Sequence, residues 1–480
     1  MDSHQLIMNK TKLTCVYLIF DILAALITWV GLYIYRKHVG ESADMQTIFA
    51  SMRVDTTFLL GLALYPVYWL FFHAFFGYYN KIYRKSRLDE LVTTIGVTLF
   101  GCLIFFFAFI LDDIVTSPHD YVKYLLFLFF SQFLLTYIPR LCITSHINNR
   151  IHSGAIGFNT IIVGHDEMAL KAYETVLKQS PRSGHFFVGY IRVDEQHPDC
   201  MEGKLPCVGN IADLNQVIDD LHVEEVVVAL HNGQRKYTQQ VLALARRNHN
   251  LTVSMVPQEH DVLMGSVKTS SVLDEPLISV TPEYLPTWQR YVKRVCDIVF
   301  SLLAIILLTP LYICLAIGVK RSSPGPIFYK QERIGYLGKP FNIIKFRSMC
   351  ENAETDRPML SSDDDPRITP FGKFMRQYRL DETPQFFNVL KGEMSLVGPR
   401  PERQYYIDQI VERAPYYQLL LGIKPGITSW GQVRFGYAEN VDEMVERLRW
   451  DILYIENMSI QMDIKILIYT VLIILKREGK

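Results

Sequence analysis

The residues best suited to chemistry lie in the last third of the chain, around the adjacent carboxylates Asp381 and Glu382. An adjacent Asp–Glu pair by itself is usually part of a solvated surface. In this chain, however, basic residues recur nearby at the ends of predicted elements and on Gly/Pro-rich turns, where functional groups tend to lie. These basic residues are Lys345, Arg347, Arg367, Arg376, Arg379, Arg400 and Lys424.

This combination predicts a site for a substrate that carries a pyrophosphate group. Guanidinium groups bind phosphate oxygens through paired hydrogen bonds. Carboxylates can hold Mg²⁺, which proteins bind through one or two carboxylates together with substrate phosphates. Arg376 and Arg379 are three residues apart and are expected on one face of a helix that also carries Asp381 and Glu382. We therefore expect these two carboxylates to hold Mg²⁺ and the basic residues to bind phosphate.

Hydrophobic residues make up 49% of the 480, and they concentrate before residue 145 and around 295–319. Four stretches, at 13–35, 55–79, 90–111 and 121–142, are each long enough for a helix of about 20 residues to cross a bilayer. Basic connections on one side and an acidic connection at 112–120 favour both ends of this block in the cytoplasm. The spans carry almost no charge besides Asp21 and His73, so we expect a membrane anchor.

Global composition excludes several other classes of protein. The net charge is zero, which gives no indication of a nucleic acid partner. The eight cysteines are scattered, without a CxxC pair or a His-rich neighbour, so neither a zinc site nor a disulfide framework is expected.

Residues 295–319 form a fifth apolar stretch, for which two topologies compete. A simple fifth span would place residues 320–480 outside the cell. Two basic residues precede the stretch and two follow it, so both ends favour the cytoplasmic side. Pro310 near the middle removes a helix hydrogen bond, and the Thr309 hydroxyl is expected to satisfy the freed backbone. We therefore predict a helix–break–helix hairpin that enters one leaflet and returns.

From about residue 145 to 280, short β-branched runs alternate with helical runs, which is typical of a doubly wound parallel sheet. Such sheets often bind a dinucleotide at the first strand–helix turn. Here that turn, residues 164–169, keeps only the first glycine of the fingerprint, and Asp166 and Glu167 bring negative charge where a pyrophosphate would lie. We expect a packing, dimerising or regulatory module rather than an NAD site.

Four motifs between residues 345 and 428 resemble the bacterial sugar transferase family, the monotopic phosphoglycosyl transferases. These motifs are Lys345–Met349, Leu380–Gln385, Gly392–Glu402 and Lys424–Thr428. The whole chain resembles the larger polyisoprenyl-phosphate hexose-1-phosphate transferases. The resemblance implies four transmembrane helices at 1–144, a Rossmann-like regulatory or packing domain at 145–280, and a mixed α/β monotopic catalytic domain at 281–480. It also implies a re-entrant helix at 293–319.

The resemblance further implies an enzyme that moves hexose-1-phosphate from a UDP-sugar, UDP-glucose or UDP-galactose, to undecaprenyl phosphate and releases UMP. It implies Mg²⁺ as cofactor, a covalent phosphosugar intermediate on Asp381 with Glu382 as its partner, and phosphate contacts from Lys345 and Arg400. We expect a homodimer in the bacterial inner membrane, with a cytoplasmic catalytic domain that initiates capsule or exopolysaccharide synthesis. Two alternatives stay open: a non-catalytic scaffold or regulator of polysaccharide assembly, and direct glycosyl transfer, which would release UDP.

Overall fold

The computed structural model describes residues 10–40, 44–80, 85–110, 118–178, 184–194, 198–231, 234, 237–238, 240–241, 244, 251–256, 277–279, 285–350, 365–436 and 438–475. The chain forms two compact units. The first comprises Met1–Phe158, Leu177–Phe186 and Pro286–Trp288, and the second comprises Asn159–Val176, Phe187–Leu285 and Gln289–Lys480.

The first unit is a bundle of apolar helices. Its helices are α1 (Lys10–Gly40), α2 (Met45–Met52), α3 (Thr56–Phe75), α4 (Arg87–Phe109) and α5 (Pro118–His152). The four predicted spans are confirmed as helices. Across all the described residues, in both units, five helices are long and apolar enough to cross a membrane. Aromatic side chains such as Trp69 fill the core, whereas Leu60 and Phe71 are exposed. Apolar side chains on the outside of a bundle fit a membrane-associated protein.

A buried ionic network joins four helices of this bundle, which the sequence analysis treated as nearly uncharged. Arg140 on α5 donates to both carboxylate oxygens of Asp21 on α1, at 3.2 and 2.6 Å, and to Glu90 on α4 at 3.3 Å. His73 on α3 lies 3.3 Å from Asp21. Charges inside a bundle must be paired, since an isolated buried charge is very costly. The prediction of an almost uncharged anchor was therefore wrong.

The middle of the chain forms the predicted parallel sheet, with strand order β3-β2-β1-β4-β5-β6. The strands are β1 (Phe158–Val163), β2 (His185–Arg192), β3 (Cys207–Asn210), β4 (Glu225–Val228), β5 (Thr252–Met255) and β6 (Ile278–Ser279). β6 pairs antiparallel with β5. Helices α6 (Glu167–Lys178) and α7 (Leu214–Asp220) follow β1 and β3. The predicted helix at 237–248 lies largely outside the described residues.

The predicted catalytic domain at 281–480, called the catalytic part below, combines a β-hairpin, a two-stranded parallel sheet and several helices. In chain order it contains α8 (Thr287–Ser322), β7 (Phe328–Ile334), β8 (Pro340–Phe346), α9 (Pro370–Gln377), α10 (Gln385–Lys391), β9 (Ser395–Val397), α11 (Gln404–Arg413), β10 (Gly426–Thr428), α12 (Trp430–Arg434), α13 (Val441–Glu456) and α14 (Ile460–Leu475). β7 and β8 pair antiparallel, and β9 pairs parallel with β10. Apolar residues at helical spacing, such as Met444, Leu448 and Ile455, build a core with Trp430.

Helix α8 runs without interruption from Thr287 to Ser322, with Pro310 inside it. The predicted interruption at Pro310 was therefore wrong as secondary structure, because a helix can bend at proline and stay helical on both sides. The Thr309 hydroxyl donates to the carbonyl of Ile305 at 2.7 Å, which is not the carbonyl that Pro310 leaves free, that of Ile306. A change of direction at Pro310 remains a prediction.

Candidate active site

The dyad, defined as Asp381 and Glu382, lies on a single 3₁₀ turn, Leu380–Glu382, between α9 and α10. The prediction that one helix carries the dyad together with Arg376 and Arg379 was wrong. Helix α9 ends at Gln377, and Arg379 adopts a left-handed conformation with φ of 54°. A left-handed residue cannot continue a right-handed helix, so the chain turns here. The turn buries both carboxylates, which are 7% and 6% exposed.

Two predicted cations contact Glu382 from separate elements. Lys345, near the end of β8, donates to the Glu382 carboxylate at 2.6 Å. The Arg400 guanidinium, on the turn after β9, lies 3.7 Å from the same oxygen. Lys345 and Arg400 stand 55 positions apart in the sequence, and the packing of β8 and the Pro-Arg-Pro turn brings them to one carboxylate. The site therefore holds fixed positive charge, as a polyanionic substrate requires.

The two carboxylates of the dyad have pKa values displaced in opposite directions. Burial, followed by the charge of Glu382, raises the pKa of Asp381 to about 6, against the opposing effects of Lys345 and Arg376. Burial also acts to raise the pKa of Glu382, but Lys345, Arg400 and Arg379 outweigh it and hold that pKa well below its usual range. Divergent pKa values in one pair indicate divided roles. Asp381 is the more basic carboxylate, whereas Glu382 stays ionised.

Two predicted phosphate-binding cations have their main contacts elsewhere, and a third is partly buried near another cation. Arg367 forms a two-point pair with Asp365, at 2.8 and 2.5 Å. Arg347 donates to the carbonyl of Ser323 at 2.7 Å. Partial burial and the neighbouring Arg294 lower the pKa of Lys424. Their roles in phosphate binding stay predictions.

A third buried carboxylate, Glu402, lies near Arg400 and was not predicted from the sequence. Glu402 accepts from Arg333 at 3.1 Å and from Arg447 at 2.6 Å, and it lies 4.0 Å from Arg400. Arg400 is thus held between Glu402 and Glu382. The only sequence signal was the acidic residue directly after the Pro-Arg-Pro run, because Arg447 lies on a helix whose many charges resemble a solvated face.

Helix α8 contacts the rest of the catalytic part at two points, one on each side of Pro310. Near its start, Arg294 donates to the carbonyls of Val389 and Leu390 at 2.7 and 3.0 Å, where α10 ends. Cations at a helix C-terminus satisfy its free carbonyls. Beyond Pro310, the Tyr312 hydroxyl donates to the carbonyl of Thr383 at 3.0 Å, directly after the dyad. The apolar helix therefore supports the turn that carries both carboxylates.

A divalent ion fits this site only with help from a substrate. No group of three or more His, Cys, Asp or Glu side chains able to hold a metal occurs within the described ranges. Asp381 and Glu382 offer two carboxylates on one turn, and Mg²⁺ commonly takes one or two carboxylates and completes its shell with phosphate oxygens and water. The donor set therefore fits Mg²⁺ bound together with a phosphorylated substrate.

Two family models together match most of the chain. A bacterial sugar transferase model matches residues 288–477, and a CoA-binding domain model matches residues 74–257. A UDP-glucose:undecaprenyl-phosphate glucose-1-phosphate transferase of Xanthomonas campestris pv. campestris is 30% identical over 441 residues, which cover 90% of each chain. An undecaprenyl-phosphate galactose phosphotransferase of Salmonella typhimurium is 29% identical over 489 residues, covering 98% of this chain and 93% of the relative.

A third relative matches only part of the chain. The UDP-N-acetylgalactosamine-undecaprenyl-phosphate N-acetylgalactosaminephosphotransferase of Aeromonas hydrophila is 39% identical over 230 residues. That match covers 48% of this chain and 54% of the relative.

The second family description implies coenzyme A, and the first strand–helix turn of the middle domain does not fit its pyrophosphate. One carboxylate oxygen of Asp166 accepts the backbone N–H groups of Met168 and Ala169, at 3.0 and 3.1 Å. These are amides that a helix N-terminus otherwise offers to a phosphate. The other oxygen lies 3.4 Å from His231. A carboxylate already occupies this position, so we assign no step to CoA.

Proposed function

This chain belongs to the bacterial sugar transferase family, and on that premise we propose that it transfers hexose-1-phosphate from a UDP-sugar to undecaprenyl phosphate and releases UMP. The observation that carries the proposal is the buried dyad, whose carboxylates differ in pKa and whose surroundings are cationic. Two relatives that match most of the chain are named for glucose and galactose transfer, so UDP-glucose and UDP-galactose are the first donors to test. The product would be the first lipid-linked unit of a surface polysaccharide.

The proposed reaction has two covalent steps. In the first, a carboxylate oxygen of Asp381 attacks the sugar-proximal phosphorus, the bond to the bridging oxygen breaks, and its electron pair leaves with UMP. In the second, a phosphate oxygen of the lipid attacks the same phosphorus, and the bond to Asp381 breaks to regenerate the carboxylate. Two steps let one anion depart before the next arrives, which limits the negative charge present at once.

The surrounding residues have separate duties in this scheme. Lys345 and Arg400 already contact Glu382, so they lie within reach of phosphate oxygens bound beside the dyad. Fixed cations stabilise charge that develops on transferring oxygens without having to reorganise. Glu382 and Asp381 would hold Mg²⁺, and the bound ion would neutralise charge on the phosphate oxygens. Asp381, as the more basic carboxylate, supplies the nucleophilic oxygen.

We also propose that α8 is re-entrant, with a bend at Pro310 and both ends on the cytoplasmic side. Arg294 and Tyr312 bind the same catalytic part on either side of the apolar centre. Between them, Phe300 and Leu307 are exposed. An apolar helix that is anchored on both sides of its proline is the pattern expected of a hairpin that dips into one leaflet.

Fusions to topology reporters test the orientation. Alkaline phosphatase fused after Lys480 should be inactive, and green fluorescent protein fused there should fluoresce. The matched control is the same phosphatase inserted within residues 113–117 of the acidic connection, where it should be active. An active phosphatase after Lys480 would remove the re-entrant proposal.

Turnover of labelled UDP-sugars by the purified protein in nanodiscs with undecaprenyl phosphate tests the reaction. The proposal predicts lipid-linked hexose phosphate and an equal amount of UMP. Release of UDP would support direct glycosyl transfer instead, and the absence of any turnover across a panel of donors would support a scaffold. Asp381→Asn should abolish turnover, while Asp408→Asn, on the exposed side of α11, should leave it unchanged.

A further inference from the structure

Arg347 is a buried cation whose hydrogen-bonding capacity is largely unused. Its side chain is 8% exposed. One terminal nitrogen, Nη2, donates to the Ser323 carbonyl at 2.7 Å, whereas Nε and Nη1 have no hydrogen-bond partner in the structure as described. Unsatisfied buried N–H groups are rare and unfavourable, and each one calls for an explanation. Anionic oxygens are the strongest acceptors for a guanidinium group.

Arg347 contacts the turn at the end of α8, the predicted membrane helix. Ser323 directly follows the last residue of α8, and the Lys320 ammonium donates to the Gly325 carbonyl of the same turn at 3.2 Å. Basic residues at the end of an apolar membrane helix lie at the level of lipid headgroups. Two cations therefore contact the turn through which the chain leaves α8.

Arg347 also adjoins the catalytic machinery, although it does not contact the dyad. Ser348, the next residue, accepts a hydrogen bond from Arg376 at 3.0 Å. Arg376 in turn acts electrostatically on Asp381. Lys345 and Arg400 contact Glu382, and Lys345 also acts electrostatically on Asp381. Arg347 thus differs from the cations around the dyad, because its hydrogen bond goes to the turn after α8.

We propose that Arg347 binds the phosphate of the polyprenyl acceptor, while Lys345 and Arg400 bind the pyrophosphate of the nucleotide-sugar donor. This inference rests on the proposed function. A lipid whose chain stays in the leaflet presents its phosphate at headgroup level, where Ser323 lies. The Nε and Nη1 groups that have no partner would donate to the charged phosphate oxygens, which make stronger hydrogen bonds than neutral acceptors do.

The two covalent steps allow a test that separates the substrates. Exchange of labelled UMP into UDP-sugar, without any lipid acceptor, reports only the donor step. Arg347→Gln in nanodiscs should keep the wild-type exchange rate within about twofold and raise the KM for undecaprenyl phosphate roughly tenfold or more, as expected for the loss of a hydrogen bond to a charged group. Lys345→Gln should lose exchange and transfer together.

Equal loss of exchange and transfer in a thermally stable Arg347→Gln protein would assign Arg347 to the donor and overturn the inference. An unchanged KM for the lipid would overturn it too. If Arg347→Gln does not fold, Arg347→Lys, which keeps one cation, should show the same selective rise in acceptor KM. If the wild type shows no exchange, the covalent route fails, and the steady-state KM values of the variant for the two substrates still decide this inference.

Discussion

Replacing Asp381 by asparagine should make the protein inactive and at the same time more stable. The pKa of Asp381 is raised from 3.8 to about 6 in the folded protein. The folded state therefore binds more protons than the unfolded state between pH 4 and 6, and stability falls as the pH rises through this window. A pKa difference of about two units between the folded and unfolded states lowers the free energy of unfolding by about 3 kcal/mol above pH 6. This free energy is the upper limit of the stability that the asparagine variant can gain. Asparagine has nearly the same shape and carries no charge.

Thermal unfolding of the two proteins in nanodiscs at several pH values measures this gain. At pH 8, Asp381→Asn should raise the unfolding midpoint of the catalytic domain by roughly 6–12 °C at most. The gain should shrink at pH 5, where wild-type Asp381 is largely protonated, and vanish below about pH 4. Asp408→Asn is the matched control and should change neither activity nor the midpoint. An Asp381→Asn protein that is less stable than the wild type at pH 8, or a gain independent of pH, would refute the reasoning.

Three further outcomes follow from the same geometry. The rate of UMP release should fall roughly tenfold for each pH unit below about 6, because Asp381 becomes protonated; a pH-independent rate between 5 and 8 would contradict its role. Tyr312→Phe keeps the ring contact with Phe346 and loses the bond to Thr383, so kcat should fall about threefold to tenfold at an unchanged melting temperature; unaltered kcat would show that this bond does not position the dyad. EDTA should stop UMP exchange and added Mg²⁺ should restore it, whereas full activity in EDTA would exclude a divalent ion.

Local patterns predicted the elements of this fold better than the contacts between them. A long apolar run of about 20 residues strongly favours a helix, so the four apolar helices were predicted correctly. The parallel sheet followed from the regular alternation of strand and helix patterns. The ionic network in the bundle did not, because Arg140 and Asp21 are separated by 119 positions and only tertiary packing brings them together.

Residue types and motifs predicted which residues form the candidate site, but not how these residues are arranged. Lys345 and Arg400 were chosen for their charge and motifs, and the structure brings both to Glu382. The helix expected to carry the dyad ends early because Arg379 is left-handed, a conformation that a non-glycine residue rarely takes and that has no sequence signal. The role of Glu402 was invisible for a similar reason, since its buried partners come from distant elements.

Intact-mass spectrometry of the protein after incubation with UDP-sugar alone, in the absence of lipid acceptor, tests the covalent route most directly. The wild type should gain the mass of one hexose phosphate, peptide mapping should locate it on Asp381, and undecaprenyl phosphate should remove it. A protein that turns over fully, never carries this added group under trapping conditions, and shows kinetics requiring both substrates bound together would contradict the account.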